Sequence, residues 1–303
     1  MIHPSLPRRR AGGRWWLATL ASLLALTAQA GERYWPPIVD PPTGQHTPGR
    51  FVWGELVTSD VAAAAGFYGK VFGWTFETYG GDDDRDTYTL ALADGLPIGG
   101  LVFDQRAVKG KIPSARWVGL ISVDDVKAST AAVTAGGGKV VYAPVMLGER
   151  GETAVFKDPE GVLFGVVNSK NGDPADFAGD VNEWYWVDLW TADVEKAAAF
   201  YRAVVGYETV PIADDGLRTG LRLMSGGFAR AGIMQKRSKK ASATWLPYLR
   251  VADARVSAEA ARAAGGKVLL EPLAMNRATV AIIADPMGAP VGIVQMPAPE
   301  AQP

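Results

Sequence analysis

The sequence predicts an α+β protein of two tandem domains. Each domain is expected to be a pair of βαβββ modules forming a curved mixed or antiparallel sheet with helices on the outside. Three observations carry this. Trp53-Gly54-Glu55-Leu56-Val57-Thr58-Ser59-Asp60 recurs 133 residues later as Trp186-Val187-Asp188-Leu189-Trp190-Thr191-Ala192-Asp193. Later markers recur in the same order. Trp117 matches Trp245, Gly138-Lys139-Val140 matches Gly266-Lys267-Val268, and Asp158-Pro159-Glu160-Gly161 matches Asp285-Pro286-Met287-Gly288. So many markers in one order indicate a tandem duplication. A chain of 303 residues is also long enough for two domains of ordinary size.

The elements follow from local pattern. Phe51 to Val57 is strand-like. Asp60 is placed to N-cap a helix, because its carboxylate can accept the orphan N–H groups of the first turn. Ala64, Phe67, Tyr68, Val71 and Phe72 then form one apolar face, and Gly73 supplies the stop. Strand candidates follow at Trp74 to Thr78, Thr87 to Ala91 and Ile98 to Phe103. The unit restarts with a strand at Trp117 to Val123 and a helix at Asp125 to Ala135. Strands then follow at Val140 to Ala143, Thr153 to Lys157 and Leu163 to Val167. Asp158-Pro159-Glu160-Gly161 reads as a turn, Pro presetting φ and Gly accepting a positive one. The second half repeats this order, with a helix at Val194 to Val205. The domains are placed at 51–168 and 183–296, with a linker at 169–182 rich in Asn, Gly, Asp and Pro.

Residues 1–30 read as a signal peptide. Arg8, Arg9, Arg10 and Arg14 precede an apolar run, Trp15 to Leu26, that is too short to span a membrane. Ala28-Gln29-Ala30 resembles a cleavage site, so the protein is expected to be exported, periplasmic or secreted, with no membrane span after leader cleavage. Residues 31–50 form a Pro-rich lead-in, expected to be extended and outside the core, and 297–303 a Pro-rich tail.

Composition narrows the chemistry. Lys+Arg is 31 against Asp+Glu 32, with no basic cluster beyond the leader, so no nucleic-acid partner is expected. The chain has no cysteine, which removes thiolate metal sites and cysteine nucleophiles. Its histidines are His3, in the leader, and His46, in the lead-in. A Ser-His-Asp triad therefore has no base within the domains. Asp82-Asp83-Asp84-Arg85-Asp86 lacks the alternation of a calcium loop and reads as a solvated hairpin tip.

The strand, the Thr-x-Asp start, the helix ending Phe-Tyr-x-x-Val-Phe-Gly-Trp and the late Asp-Pro-x-Gly turn resemble the vicinal oxygen chelate superfamily. That group contains glyoxalases, bleomycin-resistance proteins and extradiol dioxygenases. Tandem glyoxalase-like proteins whose modules open Trp-x-Glu-Leu-x-Thr-x-Asp are the nearest likeness. The resemblance implies that paired modules curve into a cup. In metal-dependent members it implies a divalent ion held by a His or Gln early in each module's first strand and a Glu on the last. Carried onto this sequence, those places fall at Trp53, Trp117 and Gly165, and at Trp186, Trp245 and Gly292. Indole donates only an N–H and glycine has no side chain, so no metal cofactor is expected.

Residues two apart share a strand face, which puts Glu55 with Trp53 and Asp188 with Trp186. A carboxylate beside an indole suits a general acid or base, a ligand contact or a structural cap, and the sequence leaves all three open. Trp53, Trp117, Trp186 and Trp245 are either core fillers or a stacking wall for a flat ligand. Arg150 and Arg277, each eight residues before the turn Asp, are candidates to meet an anionic ligand. The expected function is binding of a small organic molecule in an aromatic-lined cup without the family's metal. The alternative is a lyase, isomerase or dioxygenase-like enzyme using carboxylate acid–base chemistry or a metal on non-standard ligands. Either a monomeric pseudo-dimer of the two domains or a homodimer fits the repeat.

Overall fold

The structure, a computed structural model, describes residues 34–80, 87–109, 115–176, 179–212, 219–236, 238, 241–275 and 277–297. The leader, the Asp82–Asp86 run and the tail beyond Pro297 lie outside the described residues.

The first half runs β1 (Phe51–Thr58), α1 (Val61–Phe72), β2 (Thr75–Tyr79), β3 (Tyr88–Ala93) and β4 (Leu96–Phe103). A short helix follows, α2 (Gln105–Val108). The second module is β5 (Ala115–Ser122), α3 (Val126–Ala135), β6 (Lys139–Leu147), β7 (Gly151–Lys157) and β8 (Leu163–Ser169). The second half repeats the plan without a counterpart of α2 among the described residues. It comprises β9 (Trp184–Thr191), α4 (Val194–Val205), β10 (Glu208–Pro211), β11 (Gly220–Ser225) and β12 (Phe228–Gln235). It closes with β13 (Thr244–Arg250), α5 (Ala254–Ala263), β14 (Lys267–Met275), β15 (Ala278–Ala284) and β16 (Pro290–Gln295).

Each half is one eight-stranded sheet, in the orders β2-β3-β4-β1-β5-β8-β7-β6 and β10-β11-β12-β9-β13-β16-β15-β14. Within a module the helical crossover makes first and last strands parallel, as in β1 with β4. The two modules join antiparallel through β1 and β5, and through β9 and β13. Asp60, Asp125, Asp193 and Asp253 each N-cap a module helix by accepting backbone N–H groups. Gly73 and Gly206 end α1 and α4 in the left-handed region, at φ 72° and 85°.

The helices cover one face of each sheet, and those covered faces meet. One buried cluster joins Leu56, Phe67 and Tyr68 of the first half to Ala258, Ile283 and Ile293 of the second. The other joins Val126, Phe156 and Phe164 to Leu189, Phe200 and Tyr201. Helices that lie outside each sheet therefore lie inside the molecule, α1 against α5 and α3 against α4. The remaining face of each sheet is the one available for a site.

The lead-in departs from expectation. Thr43 and Gly44 donate N–H bonds to the Asn171 carbonyl, and buried Asp173 accepts from Thr47 N, Ser122 Oγ and Ser169 Oγ. Ile38 is buried and Trp35 packs beside it against Trp53 and Tyr88 on the open face of the first sheet. This lead-in is thus part of a core: its apolar Trp35 and Ile38 cover surface that the sheet alone would expose.

Candidate functional site

Strand alternation sorts the candidate side chains. On β1, Trp53 and Glu55 join the open-face cluster with Leu90 and Leu120, while Leu56 faces the helices. On β9, Trp186 and Asp188 take the same places. Trp117 and Trp245 do not join them. The register pairs Trp117 with Leu56 and Trp245 with Leu189, which turns both indoles toward the helices. There Trp117 Nε1 donates to Tyr68 OH at 2.8 Å and Trp245 Nε1 to Tyr201 OH at 2.9 Å.

The expected ligand places therefore need a correction of one residue in the second and fourth modules. Counting seven back from the N-caps Asp125 and Asp253 reaches Val118 and Leu246. Val118 pairs with Glu55 and Leu246 with Asp188. Gly165 and Gly292 sit on the open face as expected: a Cβ at Gly165 would run into Leu120, and one at Gly292 into the Tyr248 ring.

In the first half the open face carries a closed polar cluster. Glu55 accepts from Trp53 Nε1 at 2.9 Å, from Tyr88 OH at 2.9 Å and from Arg150 Nη1 at 2.5 Å. Arg150 Nη2 also donates to Tyr88 OH at 2.7 Å, and its Nε to the Pro36 carbonyl of the lead-in at 3.0 Å. The guanidinium stands 4.6 Å from the Trp53 ring centre and 5.8 Å from that of Trp35. Arg150 is 1 % exposed and Tyr88 0 %. Burial opposes the Arg150 charge, but Tyr88 and Glu55 outweigh it and hold the group above its ordinary pKa. Burial likewise pushes the Tyr88 hydroxyl far up, so it stays protonated. Gly100 makes this cluster possible, since a Cβ there would overlap the Tyr88 hydroxyl and lie 2.6 Å from Glu55 Oε2.

The second half keeps the indole–carboxylate pair and changes what surrounds it. Trp186 Nε1 donates to Asp188 Oδ1 at 2.8 Å. Leu90 opposes Gly100 as Arg222 opposes Gly232, so the place of Tyr88 is taken by Gly220. Arg277, the counterpart of buried Arg150, is exposed in the turn between β14 and β15. Trp186, Trp190 and Tyr185 are half-buried and pack around Leu246, Tyr248 and Val294. Among the described residues the second face is thus lined by aromatics around the buried carboxylate of Asp188.

These residues do not fit the divalent ion that the fold family implies. Among the described residues no three His, Cys, Asp or Glu side chains come together to hold a metal. The first-strand places hold Trp53, Val118, Trp186 and Leu246, and the single carboxylate in the first cluster is already bonded to a guanidinium.

Tyr88, Trp35 and Pro36 belong to the cluster but were not singled out from the sequence. The alternation Tyr88, Leu90, Leu92 on β3 places Tyr88 on a common face. No local signal places Trp35 and Pro36 there.

Comparison with known proteins agrees with the tandem fold. Residues 49–166 match the Glyoxalase/Bleomycin resistance protein/Dioxygenase superfamily, and residues 184–294 match a glyoxalase-like domain family. The anthracycline biosynthesis protein DnrV of Streptomyces peucetius is 30% identical over 262 residues, covering 82% of this chain and 94% of that protein. CFP32 of Mycobacterium tuberculosis (strain CDC 1551 / Oshkosh), provisionally named a glyoxylase, is 29% identical over 265 residues, covering 86% and 99%. In fold, the chain is similar to the Mn(II)-bound glyoxalase from Novosphingobium aromaticivorans. The TM-score is 0.58 at 18% identity, with 82% of each chain covered. It is also similar to the 2,3-dioxygenase LapB from Pseudomonas sp. KL28, with TM-score 0.56 at 14% identity, covering 86% of this chain and 97% of that one.

Proposed function

The chain belongs to the glyoxalase/bleomycin resistance/dioxygenase superfamily, and from that premise we propose that it binds a small, flat organic molecule without a metal on the second-half open face. The observation that carries this reading is the contrast between the two halves. The first indole–carboxylate pair is enclosed by Tyr88, Arg150 and the lead-in. In the second the carboxylate of Asp188 is as buried as Glu55, but Trp186 is half-buried where Trp53 is buried, beside other half-buried aromatics and with Gly220 in place of the tyrosine. Aromatic walls with one placed polar group are the common composition of small-molecule sites. A relative named for anthracycline biosynthesis agrees in kind with a flat ligand. The leader-like residues 1–30 support export, so the protein would meet its ligand in the periplasm or outside the cell.

The test is titration with planar phenols, quinones and aromatic acids, read by tryptophan fluorescence and melting temperature. A binding class should quench fluorescence and raise the melting temperature, and Trp186→Ala should remove both effects. If no class changes either signal, the reading fails.

A second reading makes the protein a lyase or isomerase with Asp188 as proton carrier. It rests on a carboxylate that is 7 % exposed beside an indole. Glu55 suits this role less, since Arg150 holds it in a buried ion pair. Asp188→Asn should then abolish turnover with folding retained, whereas Glu55→Gln should act on stability.

A further inference from the structure

Arg116 lies on the open face of the first sheet, two residues before Val118 and paired with Val57 of β1. It is half-buried, and its Nε is enclosed with no hydrogen-bond partner among the described residues. A guanidinium in such a place ordinarily has a carboxylate, because an unpaired buried charge is costly. The carboxylate that acts on it among the described residues, Asp104, is already taken. It accepts from Arg106 Nε at 3.0 Å, from Arg106 Nη2 at 2.6 Å and from the Arg106 backbone N–H at 2.8 Å. Arg106 Nη2 also donates to Tyr142 OH at 2.9 Å, which ties α2 to the edge strand β6. Among the described residues two guanidiniums thus share one carboxylate at this end of the face. Burial lowers the pKa of Arg116, Asp104 works against that, and the like charge of Arg106 adds to it. In the second half the matching strand position is Thr244, so the feature belongs to the first half alone.

We propose that Arg116 is the anchor of an anion site on the first half, taking the carboxylate of a small organic acid whose apolar body rests on the half-buried Val57. The carboxylate supplies the charge that Asp104 does not, and the partly exposed Val57 beside Arg116 favours an acid with a hydrocarbon body over a bare ion. This site is separate from the Trp186–Asp188 face of the second half and stands or falls independently of it.

The full-length protein is titrated with benzoate, with benzyl alcohol as the neutral counterpart of similar shape. Benzoate at roughly ten times its Kd should raise the melting temperature by about 3–5 °C. Benzyl alcohol should not. Arg116→Gln should lose the benzoate shift, while Arg116→Lys should keep a weakened one. A readout on the unaltered protein guards against a variant that fails to fold. Modification by phenylglyoxal, mapped by mass spectrometry, should slow at Arg116 when benzoate is present while the exposed Arg255 and Arg277 keep their rates. The proposal is overturned if benzyl alcohol matches benzoate, if folded Arg116→Gln keeps the shift, or if benzoate leaves the Arg116 modification rate unchanged.

Discussion

Arg150 and Glu55 form an ion pair in which the side chains are 1% and 11% exposed. Deleting one partner of such a pair strands the other as a buried charge, a loss of about 3–5 kcal/mol. Arg150→Met should therefore lower stability by that order in urea unfolding. The double variant with Glu55→Gln should recover much of it, because no charge is then left alone. A single-variant loss below about 1 kcal/mol would mean water reaches the pair. Period two along β1 made the shared face of Trp53 and Glu55 legible from sequence. The burial of Arg150 was not, since its partner Glu55 lies 95 residues away and Pro36 lies 114 away. Trp117 shows the limit from the other side. A one-residue slip along a strand reverses the face, and the Trp117–Trp245 match drew the count one place away from Val118.

At the scale of elements, two glycines make opposite predictions. Gly66 is exposed in the middle of α1, and a Cβ there would meet nothing within 4 Å. Gly66→Ala should add about 0.5–1 kcal/mol by restricting the unfolded chain, visible as a higher melting temperature. Gly100 on β4 should behave in the reverse way, because its Cβ would drive Tyr88 off Glu55. Gly100→Ala should therefore destabilise, and spectra of the buried tyrosine and tryptophan should shift with it. Helix starts were readable because each module helix opens on an Asp N-cap. The one-turn α2 was not, since four residues carry no helical period. Its place is set by Asp104 capping and by the Arg106 contact with Tyr142. The lead-in was misread for a related reason: proline content describes local stiffness, whereas Trp35 and Ile38 are held by distant strands.

Across the whole molecule, the Asp of each Asp-Pro-x-Gly turn reaches the other half. Tyr201 OH, which receives Trp245 Nε1, donates to Asp158 Oδ2 at 3.2 Å. Asp285 takes the corresponding place beside Tyr68, which receives Trp117 Nε1. Burial raises the pKa of both carboxyls, against backbone N–H groups that lower it. Both therefore hold a proton more tightly in the folded protein than in the unfolded chain. Their contribution is present below the ordinary carboxylate range and is lost as pH rises through the raised folded value. Replacing both, Asp158→Asn with Asp285→Asn, removes that dependence. The urea midpoint of the variant relative to the unaltered protein should climb as pH rises above the ordinary carboxylate range of about 4. A constant difference would show that these carboxyls do not titrate differently on folding.

The same crossing of the Trp–Tyr–Asp chain has a consequence for a half standing alone. Residues 51–168 carry both the tyrosine that seeks a partner's aspartate, Tyr68, and the aspartate that receives a partner's tyrosine, Asp158. Residues 183–296 carry Tyr201 and Asp285 in the same relation. Each half thus presents donor and acceptor together, on a surface whose helix contacts are also reciprocal. Such a surface is complementary to a second copy of itself. Either half, freed of the other, is therefore expected to pair with its own twin.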